Sequence, residues 1–372
     1  MSEVIVVGGG AAGMMAAIAA ADCGHQVTII EKNEKLGKKL FITGKGRCNI
    51  TNDSDVENHL NHVISNPKFM YSAFYSFDSS RMIDFLEQEG LAVKTERGNR
   101  VFPQSDKSSD VLQTLQKALR RRNVTVRLHT KMTGLMIEDH ICKGVKVQSY
   151  HGALETLTAD DVILTTGGLA YPSTGSTGDG HRLLKQAGVA LEPCYPALVP
   201  VETVEEWPIR LQGLSLRNVS LRVERGSHKI YEEQGEMLFT HFGVSGPLVL
   251  SASSLLGRKG AKDCKLHIDL KPALSEEQLD ERLQRDFAAQ KNSMFKNSLG
   301  KLLPSKLIPV IVELSEITPD KQVNEVTRQE RHRLVKLCKD LTCTVKKLRD
   351  FPEAIVTGGG ISVDRKSTRL NS

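Results

Sequence analysis

Residues 1–31 constrain this chain more than any other stretch. Val4-Ile5-Val6-Val7 is an apolar run short enough for a buried strand, and it leads directly into Gly8-Gly9-Gly10-Ala11-Ala12-Gly13 and an alanine-rich helical stretch to about Cys23. Val27-Thr28-Ile29-Ile30 reads as a second buried strand and ends in Glu31, eighteen residues after Gly13. Gly8 permits a sharp turn, Gly10 lets the backbone approach a pyrophosphate, and Gly13 lets helix and strand pack closely. The helix N-terminus offers free N–H groups and a partial positive charge to phosphates. Glu31 is placed to accept hydrogen bonds from a ribose 2′-OH, where it would repel a phosphate. The expected ligand is therefore a dinucleotide whose adenosine half is of FAD or NAD type, not NADP. A lone GxGxxG is a weak signal; the strand before it, the helix after it and the acid at the right distance make this one specific.

At 372 residues and 41.0 kDa the chain is long enough for two or three domains. The net charge of +6 is modest and its basic residues are scattered, so nucleic-acid binding is permitted but not implied. Seven cysteines, at 23, 48, 142, 194, 264, 338 and 343, are widely spaced and contain no CxxC pair. They point to a reducing cytoplasm, with no disulfide framework, zinc site or dithiol centre. No run approaches the ~18 to 20 apolar residues that a membrane span needs. Glu3 stands where a leader would carry positive charge, and the first apolar run breaks at three glycines, so no signal peptide is expected.

After Glu31, two glycines flanked by Lys39, Lys45 and Arg47 form a flexible basic loop able to close over phosphates or an isoalloxazine edge. Cys48 beside Arg47 reads as a small packing residue in preference to a reactive thiol. Residues 66–122 are mixed helix and loop, with helices expected over 78–89 and 109–122 from their apolar spacing. Arg120-Arg121-Arg122 then falls at a solvated helix end. Strands are expected at 124–128, 134–138 and 143–150, and a return strand at 157–164 ends in Thr165-Thr166-Gly167-Gly168, small because the backbone passes close to a cofactor. Asp179, after a loop dense in hydroxyls and glycine, reads as the N-cap of a helix from about His181. From Pro193 the texture becomes β-rich, barrel- or sheet-like, with helices over 275–290 and 326–340. Residues 353–360 read as a strand running into a glycine turn.

With these segments in order, the chain resembles the BaiN/YhiN-like family of bacterial NAD(P)/FAD-dependent oxidoreductases, also described as aminoacetone-oxidase-like FAD-binding flavoproteins. The resemblance rests on residues 4–13 with Glu31, on Thr43-Gly44-Lys45-Gly46-Arg47-Cys48-Asn49-Ile50-Thr51-Asn52, on the run 171–180, on the run 239–247 and on the run 354–360. It implies an α/β fold: a Rossmann-like FAD/NAD(P)-binding domain of glutathione-reductase type, interrupted by a β-barrel-like and helical domain. The expected boundaries are 1–192 for the main part, 193–350 for the inserted substrate domain, 351–364 for the return, and 365–372 as an unmatched tail. It also implies that Gly13, Glu31, Lys39, Gly46, Cys48, the backbone around Met132 and Gly167 line FAD. Gly8, Gly10, Ala12, Lys32 and Arg47 complete the expected cofactor-binding set. Lys45 departs from a family pattern of three small residues. The family pattern continues past Asp364 for about one more strand and helix, so the expectation is a truncated flavoprotein with its FAD pocket open on one side. Tightly held, stoichiometric FAD in the purified chain would contradict that.

The implied activity is FAD-dependent hydride transfer through flavin N5 between a nicotinamide and a small organic substrate, either enone-type reduction or amine or ketone oxidation. No second GxGxxG unit is present, so NADH or NADPH would be a transient co-substrate. No metal or triad constellation is legible. His241 and Tyr171 are the candidate proton donors, each weighed against a purely structural role. The expected partner is a small molecule, without nucleic acid or membrane. The alternatives are a flavin-dependent RNA-modifying enzyme and an inactive dinucleotide-binding fragment.

Overall fold

The structure is a computed structural model and describes residues 1–363. Asp364 and the tail 365–372 lie outside the described residues. The chain divides into two compact units, Met1–Cys194 with the chain from Gly359 onward, and Tyr195–Gly358.

In the first unit, strand β1 (Glu3–Val7) is buried from Val4 to Val7, as a strand covered on both faces must be, which is why it reads as an unbroken apolar run. Helix α1 (Ala11–Asp22) packs Met14, Ala17 and Ile18 into the core. Strand β2 (Gln26–Ile30) lies parallel to β1, with Val7 opposite Ile30. Strands β3 (Thr125–Arg127) and β4 (Asp161–Leu164) extend the sheet on either side, in the order β4-β1-β2-β3, every pairing parallel. All four C-terminal ends therefore meet at one edge, the place where open α/β sheets bind ligands.

The return strand expected over 157–164 is two strands. Leu154–Thr158 completes an antiparallel sheet with Thr130–Glu138 and Ile141–Ser149, and β4 starts only at Asp161. The break falls where the Asp160 carboxylate accepts the Glu3 N–H (2.8 Å), handing the chain from one sheet to the other. A second sheet, of Thr51–Asn52, Arg100–Pro103 and Val93–Glu96, was not expected; strands of two to four residues are too short to show a period. The helices Ser79–Gln88 and Ser108–Arg121 agree with the apolar spacing. The basic end of the latter is paired and not merely solvated: Arg121 and Arg122 each reach the buried Glu89 at 2.8 Å.

The second unit is a closed six-stranded barrel with helices. Its strands are β5 (Val201–Thr203), β6 (Ser215–Arg225), β7 (His228–Thr240), β8 (Gly243–Ser245), β9 (Cys264–Asp269) and β10 (Leu341–Leu348), paired in the order β5-β8-β7-β6-β9-β10 and closed by β5 against β10. Leu216, Val219, Leu221 and Val223 of β6 point into a core that includes Phe239, Leu266 and Ile268. Capping boxes at Ser275/Gln278 and Thr327/Glu330 start the helices Glu276–Ala288 and Arg328–Lys339, close to where the sequence places them.

The chain leaves the first unit along Leu191–Ala197 and comes back along Val356–Ile361, and these strands pair. The expected glycine turn is thus inside a strand. A Cβ on Gly358 would lie 2.3 Å from the Tyr195 ring, and Gly359, at φ +79°, would meet the Pro193 carbonyl at 2.2 Å. The glycines allow close backbone approach and do not turn the chain. Among the described residues no helix is long and apolar enough to cross a membrane, and no group of three or more His, Cys, Asp or Glu is placed to hold a metal ion.

Candidate dinucleotide site

At the C-terminal edge of β1 and β2 lies a cleft of about 290 Å³. Gly8, Gly9, Gly10, Ala11 and Ala12 form one wall, Glu31, Lys32 and Asn33 a second, and Thr165, Thr166 and Gly167 a third; Lys39, Lys131 and Met132 complete the lining used below. The glycine turn is forced by its neighbours. Gly8 has φ +108° and would place a Cβ 2.5 Å from the Thr165 carbonyl, while a Cβ on Gly13 would lie 1.8 Å from the Gly8 carbonyl. Gly13 accordingly lies beneath the turn and outside the lining. A Cβ on Gly10 would meet nothing within 4 Å, and no side chain caps α1, so this helix end faces the cleft with its backbone bare.

Glu31 is buried, and its carboxylate accepts the Gly9 N–H (2.7 Å), the Asn33 N–H (2.8 Å) and the Asn33 Nδ2 (2.7 Å). It therefore ties the glycine turn to the end of β2 while lining the cleft. Lys32 does not extend freely into the space: its Nζ donates to Asp179 (2.7 Å) and Thr177 (2.6 Å). Asp179 is not the N-cap of its helix. Gly178 holds that position, and the Asp179 carboxylate lies in the first turn of α2 (Asp179–Gln186), turned to Lys32. Burial pushes this carboxyl up, but the hydrogen bonds from Lys32 and Thr177 and the charges of Lys32 and Lys131 outweigh it and hold it below the usual range. Lys39 donates to the Ala170 carbonyl (2.9 Å), and its partial burial lowers its pKa.

Gly46, Arg47 and Cys48 are not among the cleft-lining residues. The Arg47 guanidinium donates to Glu96 and Asp106, both at 2.5 Å, and stacks 4.1 Å from the Phe102 ring centroid. Two carboxylates hold it more strongly than open solvent beside the cleft would. Cys48 is fully buried; burial pushes its thiol up, against a hydrogen bond with Thr43, so it is a packing residue and no thiolate. The basic loop is a tight turn with Gly44, Lys45, Gly46 and Cys48 all at positive φ. Tyr171, half-buried at φ 52°, has its ring 6.0 Å from Lys39 Nζ. His241 belongs to the second unit, exposed between β7 and β8 with its ring against Phe242.

Asn33, Thr130, Lys131 and Ser176, none of which is in the expected cofactor-binding set, also line the cleft. Asn33, two residues beyond the acid, carried a signal, since its amide and its backbone N–H can both reach the Glu31 carboxylate at that spacing. The others come from loops brought in by the fold.

A parallel sheet with a glycine turn, a bare helix end and an acid at the tip of the second strand defines a dinucleotide-binding α/β protein. The residues fit FAD: the acid suits a ribose hydroxyl, and the uncapped helix end suits a pyrophosphate. The family described as HI0933-like protein Rossmann domain matches residues 2–370, a match that runs into the tail read above as unmatched. The chain belongs to this family of FAD-dependent oxidoreductases. It is 31% identical over 365 residues to a 3-dehydro-bile acid delta(4,6)-reductase of Clostridium scindens, covering 97% of this chain and 87% of that one. It is 28% identical over 373 residues to a ribosomal RNA dihydrouridine synthase of Escherichia coli, covering 99% and 87%. Among solved structures, a 3-ketosteroid-delta4-(5alpha)-dehydrogenase from Rhodococcus jostii RHA1 is 14% identical with a TM-score of 0.49, covering 97% of this chain and 84% of that one.

Proposed function

We propose that this chain reduces a carbon–carbon double bond conjugated to a carbonyl, in a small organic substrate, with NADH or NADPH as a transient co-substrate. The observation that carries the reading is the cleft itself: a glycine turn, the bare start of α1 and Glu31 shaped for FAD, in a sequence with no second GxGxxG unit for a resident nicotinamide. FAD, when bound, supplies hydride transfer. The substrate class follows from the names of two relatives alike over nearly the whole chain, a delta(4,6)-reductase of a 3-dehydro bile acid and a dihydrouridine synthase. Both names denote saturation of a double bond beside a carbonyl.

This chain's residues then have separable tasks. The glycine turn and Glu31 hold the adenosine half, Gly8, Gly10 and Ala12 admit the pyrophosphate, and Met132 and Gly167 shape the far wall. Tyr171, beside Lys39, and His241 are the two candidates to deliver a proton to the substrate carbon.

Anaerobic titration of the FAD-loaded chain with NADH and NADPH, followed by addition of a cyclic enone, tests the reading. Flavin bleaching and then its recovery on enone addition is the expected result; recovery only with oxygen would overturn it. Tyr171→Phe and His241→Gln, each leaving bleaching intact, should identify the proton donor by which one slows the recovery. The second reading, a uracil in RNA as the acceptor, is favoured by the likeness to the Escherichia coli protein. Recovery with uridine-containing RNA but not with the enone, steeply dependent on salt, would select it.

A further inference from the structure

Thr174, Gly175, Ser176 and Asp179 line the same cleft as Lys32 and Asn33 beyond the end of β2, and the two segments are tied to each other across several links. Lys32 Nζ donates to both Asp179 and Thr177, and Thr177 Oγ1 donates to Asp179 (3.0 Å), closing a three-membered network. Asn33 Nδ2 donates to the Thr174 carbonyl (3.2 Å), and Gly175, at φ +106°, leaves no room for a side chain because its Cβ would lie 2.6 Å from that same nitrogen. Lys32 and Asp179 are mostly shielded from water, with 26% and 17% of their side chains exposed. Asp179 also has Arg182 at 3.4 Å.

We propose that Lys32 and Asp179 form an ionic clasp that holds residues 170–179 closed against the end of β2 and so slows the release of FAD, with Asp179 a positioning residue that acts through Lys32. The proposal rests on FAD occupying the cleft. It gives Lys32, expected among the cofactor-binding residues, an indirect role in place of a direct contact to the cofactor's phosphates. An ammonium already engaged by a carboxylate and a hydroxyl has little left for a phosphate, whereas the pair it makes lies between the two loops that line the cleft.

The two roles give opposite signs for one substitution. Asp179→Asn removes a negative charge beside an anionic ligand and frees Lys32. If Lys32 bound the phosphates directly, release would slow. If the clasp matters, release speeds up although the site has become more positive.

The measurement is the rate at which the FAD-loaded chain gains free-flavin fluorescence on dilution, for the wild type, D179N, K32M and the double variant, at roughly 50 and 500 mM salt. The clasp predicts release about 10-fold faster in D179N, a rate in the double variant no faster than in the faster single variant, and a salt acceleration in the wild type that the variants lose. A D179N rate equal to or below the wild-type rate overturns it. Should D179N fail to fold by circular dichroism, Thr177→Val, which removes both hydrogen bonds of the Thr177 hydroxyl but leaves the Lys32–Asp179 ion pair and every charge in place, carries the same test with a smaller acceleration, and an unchanged rate there overturns the clasp. A wild-type chain that takes up no FAD overturns the reading of the cleft and the proposal with it, so the two failures are told apart.

Discussion

Two glycine-rich turns lie within the first 50 residues, and they behave in opposite ways. The run Gly8–Gly13 lies beneath and along an open cleft, with Gly8 and Gly13 glycine because backbone carbonyls stand 2.5 and 1.8 Å from where a Cβ would be. The loop Gly44–Cys48 has more unusual dihedrals, with four residues at positive φ against Gly8 alone in the first run, yet Gly46 would place a Cβ within 4 Å of nothing, and the loop's arginine is turned to Glu96 and Asp106. Glycine content and positive charge made both look like ligand loops. What separates them is whether the polar groups nearby are satisfied: the start of α1 has bare N–H groups facing the cleft, whereas Arg47 has two carboxylates and an aromatic face.

The largest expected effect falls on the first turn. Gly13→Val drives side-chain atoms into the Gly8 carbonyl, and retained FAD should fall by about 100-fold or more, read from visible flavin absorbance after gel filtration. Gly10→Ala provides the control, since its Cβ meets no protein atom; melting temperature should hold while FAD affinity drops. Equal FAD retention in both variants would break the comparison.

A smaller effect is expected at the second loop. Arg47→Met should lower the melting temperature and leave FAD affinity within about twofold, the reverse of the first case. Its pH dependence has a definite sign. The Arg47 hydrogen bond holds Glu96 below the usual carboxylate range, and hydrogen bonds from Lys94 and Arg47 do the same for Asp106. Acids with depressed folded values stabilise above their unfolded values and lose that contribution as pH falls through the folded ones. The melting difference between wild type and R47M should therefore be full at neutral pH and shrink below about pH 4. A difference that persists undiminished in acid would show that stacking on Phe102, and not the ion pairs, holds the loop.

The smallest effect sharpens the contrast. Lys45 adopts φ 58°, ψ 38°, a left-handed conformation unfavourable for a residue with a Cβ. Lys45→Gly should raise stability by roughly 0.5 kcal/mol, or about 1 °C in melting temperature, and leave FAD release unchanged. Faster or slower release would show that the Lys45 charge reaches the cofactor after all.

The strand, turn and helix of residues 3–22 were legible because every signal there is local: an apolar run for a doubly covered strand, glycines at fixed offsets, and alanines for close helix packing. The barrel was legible as β-rich texture, since β6 alternates from Leu216 to Val223, but its closure was not. Pairing of β5 with β10 joins residues more than 140 apart in sequence, and nothing local encodes it. The short sheet at 51–103 and the split of the return strand at Asp160 escaped for the same reason. Each is decided by a partner strand or a distant N–H, not by a period.

At the site the division is similar. The dinucleotide grip could be read from the sequence alone, because Gly13 and Glu31 answer to Gly8 and Gly9 within one β-α-β unit and the spacing of all three glycines is local, although the carbonyl that excludes a side chain at Gly8 comes from Thr165. Only the tertiary structure decided where the basic residues point. Lys32 and Arg47 are both cations next to glycine-rich motifs, and each is claimed by a carboxylate that arrives from far along the chain, Asp179 for one, Glu96 and Asp106 for the other. A partly shielded charge takes the nearest countercharge that the fold supplies, and sequence order does not reveal which one that will be.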